Sequence, residues 1–406
     1  MRNYLNYWFN MVRYSLKGSK IYYFWVGLLV LMIAWGAIVY YHQLVHGLIV
    51  TNMSDQVSWG LGISNFVYFV GVAASAVILI YPAYVNHNED IKEVVILGEQ
   101  LAFVAILMCL LFIFTDIGRP DRFLHLIPFF GGRLNLPGSL LAWDVIVFNV
   151  YLILNLHIPG YLLYVKYRGR EPRWYWYLPL VFISIFFAIS IHTVTAFLLS
   201  GLGSRYFWHT SLMAPRFLAS AFSVGPAILY LIFFAANYFT KLNVKNTVFE
   251  YLKNVMRFTL PINLFFLLCE FFKEIYPATH HGASAQYLFF GFKGYHQLTW
   301  FIWPAILMNL TATLLVSFER FRNKQLLFII ACHLCIVGLW VEKGMGLIIP
   351  GFIPSPLGEI VEYSPNLDEI VLSLAITALG ALMFTLFAKV TIGILTGELS
   401  QKNPKA

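Results

Sequence analysis

Charge is the commodity this sequence holds least of. Only 11% of its 406 residues are Asp, Glu, Lys or Arg, against about 25% in ordinary soluble domains. So few charges cannot clothe a large water-facing surface, which excludes a soluble enzyme of this size. Cysteine is scarce too. Cys109, Cys269, Cys332 and Cys335 are the only four, and all lie in apolar stretches, which argues against a disulfide framework. The stretch "CHLC" (332–335) lacks the histidine directly after its second cysteine that attachment of a c-type haem requires, so the pair reads as small buried residues. No short apolar core with a cleavage site opens the chain, so no signal peptide is expected. No loop is long enough for a folded extramembrane module. What abounds is hydrophobicity: 60% of the residues are hydrophobic and 18% aromatic, with a mean hydropathy of +0.73. Apolar runs of about 18 residues or more are long enough to cross a bilayer, and they recur throughout. A polytopic membrane protein follows, with the lipid bilayer as its first partner.

The apolar windows predict an all-α chain with ten transmembrane helices near 21–45, 61–84, 96–115, 138–165, 178–200, 213–239, 257–273, 297–318, 326–349 and 369–397. Around this transmembrane domain (21–397) lie an N-terminal segment (1–20) and a tail (398–406). Small residues in "GVAASA" (71–76) and "LASAFSVGPA" (218–227) mark close helix approach, because packing at small residues replaces the hydrophobic force that lipid removes. They suggest two four-helix bundles, spans two to five (about 61–200) and spans six to nine (about 213–349), with spans one and ten flanking. The net charge of +8 is topological in origin and not a nucleic-acid footprint, since the basic residues sit in short loops. Arg2, Arg13, Lys17 and Lys20, then Lys92, the 166–173 and 241–257 groups, Arg320, Arg322 and Lys324, and finally Lys402 and Lys405 all fall on one side. Basic loops stay in the cytoplasm, so both termini are expected there. One opposite loop breaks the trend with Arg119, Arg122 and Arg133, and an anionic or acidic partner at the outer surface would account for it.

Ionisable groups at membrane depth cost about 2.5–3.5 kcal/mol or more unless a partner or watery cavity receives them. In "AISIHTVTAF" (188–197), His192 lies about 12 Å from the outer end of span five at the helical rise, and Asp144 lies comparably deep in span four. Asn65, Asp116 and Arg119 come from the outer ends of spans two and three. Five polar residues on consecutive helices at similar depth suit a quinone headgroup, whose carbonyls gain protons with electrons. Histidine, with a pKa near 6.5, exchanges protons near neutrality, and a nearby carboxylate can fix its tautomer or relay the proton. A second group, Glu270, Glu342 and Lys343, offers a proton path or a structural ion pair. His42 and His46 are i, i+4 near the outer end of span one, and His157 with His333 could pair around a b-type haem in the inner halves of spans four and nine. The His42–His46 spacing could suggest a metal or haem face, but no residue is assigned to a metal.

"DIGRPDRFLHL", "WDVIVFNVYL", "SIHTVTAF", "MAPRFLASAFSVGPA" and "VEKGMGLIIPGFIPSP" together resemble the NrfD/PsrC family of integral membrane subunits over residues about 20 to 395. Ten spans and "SWGLGISNFVYFVGVAASAV" narrow the resemblance to the DsrP type of Dsr sulfur-metabolism complexes. The resemblance implies a non-autonomous subunit of a quinone-linked oxidoreductase in the cytoplasmic (inner) membrane. Menaquinone would bind as substrate on the outer half of the first bundle, near Asp144, His192, Arg119 and Arg122. An extracytoplasmic ferredoxin-like iron–sulfur subunit would sit beside it, with other membrane and cytoplasmic subunits of a Dsr-type complex. It also implies no haem or cluster in the chain itself. Two alternatives remain: a proton or ion transporter without redox function, and a haem b anchor.

Overall fold

Within lipid, every backbone N–H and C=O must find a partner inside its own segment, so long apolar runs fold as helices. The computed structural model of the protein describes residues 2–126 and 132–401. Lys402 and Lys405 of the expected tail, and residues 127–131 of the arginine-bearing loop, lie outside them. Ten helices among the described residues are long and apolar enough to cross a membrane. Spans one to five are Lys20–His46, Leu61–Val85, Val95–Asp116, Leu140–Tyr167 and Trp174–Ser200. Spans six to ten are Met213–Phe239, Asn246–Ile275, Thr299–Ser317, Gln325–Phe352 and Leu367–Leu395. The chain is an all-helical multi-pass membrane protein.

Spans two to five form one four-helix bundle and spans six to nine another, while span ten lies on span three and span one lies on span ten. The two small-residue stripes face each other across the seam: a Cβ on Gly225 would overlap Ser75, and one on Gly71 would come 3.9 Å from Ala221. Both chain ends meet on one face, called here the terminal side, where Tyr14 donates to Glu398 across 2.8 Å. Depth below is counted from the opposite, far side.

Span seven begins eleven residues before its expected start, because helix formation runs straight through Lys253 and Arg257. The Lys253 ammonium bonds Glu250 at 2.9 Å and lies over the Phe328 ring, which lets a buried lysine continue the helix. An additional helix, Arg2–Ser15, precedes span one. Tyr7, Met11 and Ser15 turn inward while Leu5, Trp8, Phe9 and Val12 stay exposed, a division that matches its i, i+4 periodicity.

Two spans are discontinuous. Span two is α-helical over Leu61–Ala74, turns at Ser75 and Ala76, and ends in a π-helical stretch at Tyr81–Val85. Tyrosines from other spans cap backbone carbonyls beside this break, with Tyr151 donating to Ala73 O at 3.2 Å and Tyr251 to Ile78 O at 3.0 Å. Span six shows the same repair, for Thr259 donates to Phe222 O at 2.8 Å, the carbonyl four residues before Pro226 that the proline cannot use. Span nine breaks at Gly344, where a Cβ would come 3.2 Å from Ser64 O of span two. Glycine there lets the two discontinuous spans touch. Trp208, fully buried, closes the far end of span nine by donating to Leu347 O at 2.8 Å.

Candidate functional site

Polar groups concentrate in the far half of both bundles. In the first bundle Asp144 is buried four residues into span four, about 6 Å down at the helical rise. Its Oδ1 accepts a 3.1 Å hydrogen bond from the Thr195 hydroxyl, which also donates to Ile191 O at 2.8 Å. Thr195 follows His192 by three residues, so both lie on one face of span five. The threonine therefore ties the Asp144 carboxyl to the face of span five that carries His192. His192 is 1% exposed, and its Nδ1 has no hydrogen-bond partner. Its Nε2 looks towards Gly71, 3.9 Å from where a Cβ there would stand. The Phe217 ring of span six meets the imidazole edge-on at 6.5 Å between centroids.

The second bundle gathers charge. Arg216, three residues into span six, pairs with Glu342 of span nine at 3.0 Å and with Glu270 of span seven. The other Glu342 oxygen accepts from Asn309 of span eight at 2.7 Å, while the Asn263 amide of span seven lies 3.4 Å from both. Lys343 holds its Nζ 3.8 Å from Glu342 Oε1 and 5.6 Å from the centre of the Phe217 ring, with no hydrogen bond. Four formal charges thus cancel among residues from three helices, with neutral amides on Glu342 and Glu270 Oε1 left without a partner.

These two sets are adjacent. Arg216 and Phe217 are neighbours on span six, as Glu342 and Lys343 are on span nine. The first member of each pair belongs to the charge cluster. The second lines a cavity shared with Tyr68, Gly71 and His192. Another cavity lies on the far side of the cluster, lined by Arg216, Glu270, Glu274 and Glu342 among apolar side chains.

The remaining expected positions lie further out or elsewhere. Asn65 is buried and accepts from Trp340 Nε1 at 2.8 Å, tying span two to span nine and not to span four. Asp116 ends span three, 3.3 Å from where a Cβ on Gly62 would stand, and close enough to Glu369 and Tyr363 to interact electrostatically. Arg119 is exposed and held by Asp121 in two hydrogen bonds of 3.0 and 2.9 Å. Arg122 and Arg133 are exposed. His157 and His333 sit on exposed faces of spans four and nine, turned away from the bundle interiors. The His42 and His46 rings lie 4.3 Å apart between centroids, tilted by 41°. Among the described residues no group of three or more His, Cys, Asp or Glu could hold a metal ion.

Sequence reasoning passed over several members of this arrangement. Arg216 is the chief one: an arginine inside an apolar run must be matched by carboxylates, and Glu270 with Glu342 were already in view. Asn263 and Asn309 carry no charge and gave no warning. Tyr68 has a buried hydroxyl without a partner, which only a structure reveals. Glu99, buried near the terminal end of span three, has both carboxyl oxygens without partners.

The sequence model described as "Polysulphide reductase, NrfD" matches residues 49–354. A selenate reductase subunit from Mesobacillus selenatarsenatis is 23% identical over 397 residues, covering 86% of this chain and 89% of that protein. An Hdr-like menaquinol oxidoreductase integral membrane subunit of Archaeoglobus fulgidus is 22% identical over 391 residues, covering 92% and 94%.

Proposed function

The chain belongs to the NrfD polysulphide reductase family, and from that premise we propose that it is the quinone-interacting membrane subunit of a multi-subunit redox complex. The observation that carries the proposal is the pairing of Asp144 with Thr195, one helical turn from a buried imidazole whose Nδ1 has no partner. A buried polar atom left unbonded is costly, and a ligand carbonyl or hydroxyl at that nitrogen would complete it. The name of the Archaeoglobus relative supports menaquinol or menaquinone as the substrate.

A bound quinone supplies two-electron, two-proton redox chemistry. The chain supplies the rest. His192 holds or releases a proton at Nδ1, and Asp144, fixed by Thr195, exchanges a second with the far-side surface. The arginine-bearing loop at Arg119 and Arg122 faces that same surface, where an iron–sulfur subunit would exchange electrons with the site. Lys and Arg abundance on the terminal side supports a cytoplasmic location for both termini in the cytoplasmic membrane. Glu270, Glu342 and Lys343, joined through Arg216, form the proton path of this reading. The finer placement in dissimilatory sulfur metabolism rests on the motif resemblance.

A transporter without redox function is the weaker account. In the transporter architecture helix breaks occur in corresponding members of two repeats. Here they fall in spans two and nine, the first member of one bundle and the last of the other. The test is to replace His192 with Leu in the assembled complex and measure quinol-dependent reduction of the complex's electron acceptor. A loss of about 10²-fold or more, the scale of a missing acid–base group, is expected while the complex stays fully assembled. Unchanged turnover would refute the proposal.

A further inference from the structure

The seam cavity between the bundles is lined by Tyr68, Gly71, His192, Ser220 and Lys343, closed by Phe217 and other apolar residues. It leaves about 10 Å³ for the centre of a water molecule, which is room for about one water and far too little for a quinone ring. Two of its lining residues carry buried polar atoms without partners, Tyr68 Oη and Lys343 Nζ, and His192 turns its Nε2 towards Gly71 on the same wall. Tyr68, His192 and Lys343 are 6%, 1% and 3% exposed. Ser220 spends its hydroxyl proton on Phe217 O at 2.8 Å, so its oxygen can still accept. A polar cavity of this size with several unmet hydrogen-bonding groups is the condition under which proteins hold an ordered water.

We propose that one ordered water occupies this cavity and connects His192 to Lys343, forming a proton link between the two bundles. The bonding closes. Tyr68 Oη and Lys343 Nζ donate to the water oxygen, and the water donates to His192 Nε2 and to Ser220 Oγ. With Lys343 a free amine and the imidazole proton on Nε2, the His192–water–Lys343 bonds reverse and the bare Nδ1 accepts a proton from the ligand. Nε2–H then donates to the water, and the water donates to Nζ. Transfer in that state moves one proton from Nε2 to the water oxygen as one of the water's own protons moves to Nζ. One N–H bond breaks and one forms, with no electron displaced. Lys343, 3.8 Å from Glu342 Oε1, can then hand a proton to the carboxylate that Arg216 holds. The imidazole thus has two faces, Nδ1 towards the proposed ligand and Nε2 towards the second bundle. The link rests on the quinone reading for its source of protons. The water itself does not depend on that reading.

Gly71 provides the test. A Cβ there would meet only ordinary contacts at 3.9 Å, His192 Nε2 among them, so Gly71→Ala takes up cavity space without forcing any polar group to move, and alanine favours helix over glycine. The complete complex, reconstituted in lipid nanodiscs, would be imaged at a resolution that shows waters, as wild type, Gly71→Ala and Gly71→Ser. Turnover with quinol and protons moved per electron would be measured on the same preparations. A water peak within hydrogen-bond reach of Tyr68 Oη, Ser220 Oγ and Lys343 Nζ is expected in wild type and not in Gly71→Ala. Proton transfer should slow at least about tenfold in Gly71→Ala, the low side of an acid–base loss. It should recover in Gly71→Ser, whose hydroxyl can stand in for the water. An empty cavity in wild type overturns the link, as does an unchanged proton yield and rate once the water is gone. A wild-type complex that shows the water but never reacts with quinol refutes the quinone reading instead, and leaves the water established without its proposed source.

Discussion

The two bundles keep their polar groups at similar depth and treat them in opposite ways. In the first, a single carboxyl is held by one threonine, and the His192 imidazole keeps an unbonded nitrogen in a nearly sealed interior. In the second, Arg216 joins two carboxylates, and Asn309 bonds one of them again. Charges brought into lipid depth survive when they neutralise each other, and the second bundle follows that rule. Both keep buried atoms without partners, His192 Nδ1 in the first and Glu270 Oε1, Asn263 Oδ1 and Asn309 Oδ1 in the second. The second's carboxylates, however, are already matched by Arg216, whereas the imidazole nitrogen still awaits a group to use it. The first bundle therefore reads as a site. The second reads as a charged framework, which the seam cavity connects to that site.

If the second bundle is held together by its charges, removing the central one should have the largest effect. Arg216→Leu leaves Glu270 and Glu342 facing each other in a dry interior. Breaking a buried pair by deleting one partner costs about 3–5 kcal/mol, so the variant should fail to assemble or lose much of its thermal stability in detergent. Replacing Arg216, Glu270, Glu342 and Lys343 together with Leu should recover most of that loss, because no charge is then stranded. A stable Arg216→Leu single variant would show that the cluster is wetter than its burial suggests. In the first bundle the converse is expected. Asp144→Asn retains an oxygen for the Thr195 bond, so stability should hardly move. Quinol turnover should nevertheless fall about 10²-fold, equivalent to about 2.7 kcal/mol of barrier, because an amide cannot exchange a proton. Equal effects of Asp144→Asn on melting temperature and on turnover would erase the distinction between site and framework.

What the sequence disclosed, and what it hid, follows from the same physics. All ten spans were legible because hydrocarbon thickness dictates about 20 apolar residues per crossing, and no packing detail can change that. The small-residue stripes were legible too, since glycine and alanine in a span have few other purposes. Span seven began late in the sequence reading because Lys253 and Arg257 looked like loop residues. Only the fold supplies the Glu250 bond and the Phe328 ring that make Lys253 tolerable in a helix. His192 and Asp144 could be chosen from depth alone. Their connection through Thr195 could not, because it depends on the rotation of span five against span four. Asn65 was grouped with them by depth, and rotation sends it to Trp340 instead.

That Asn65–Trp340 bond crosses the seam and gives a smaller prediction. Trp340→Phe keeps the ring packing and removes the donor. Interhelical hydrogen bonds in membranes average about 0.6 kcal/mol, so a loss of that order is expected in unfolding from mixed micelles. Because Lys343 lies three residues away on span nine, a turnover loss much larger than this stability change would mean that the bond positions Lys343 as well as holding the bundles together.

The smallest expected effect lies on the terminal side, away from both bundles' interiors. Glu398 accepts from Tyr14 of the N-terminal helix at 2.8 Å and pairs with Lys241 at 2.7 Å. The Lys241 bond, followed by the Tyr14 bond, holds its carboxyl below the ordinary carboxylate range. A carboxyl depressed in the folded state contributes fully above its unfolded pKa, about 4.3, and the contribution fades as pH falls through the lower folded value. The tie should therefore be constant from neutral pH to about 5 and weaken below about 4.3, with Lys241 cationic throughout. Exposed pairs of this kind give about 0.2–1 kcal/mol. Protection factors of residues 2–15, which correct for the intrinsic pH dependence of exchange, should fall slightly below that pH in the wild type, while Glu398→Gln should show the lower protection at every pH. Wild-type protection that is independent of pH and equal to that of Glu398→Gln would mean that the helix is held by Tyr7 and Met11 against the body, with the ion pair contributing nothing.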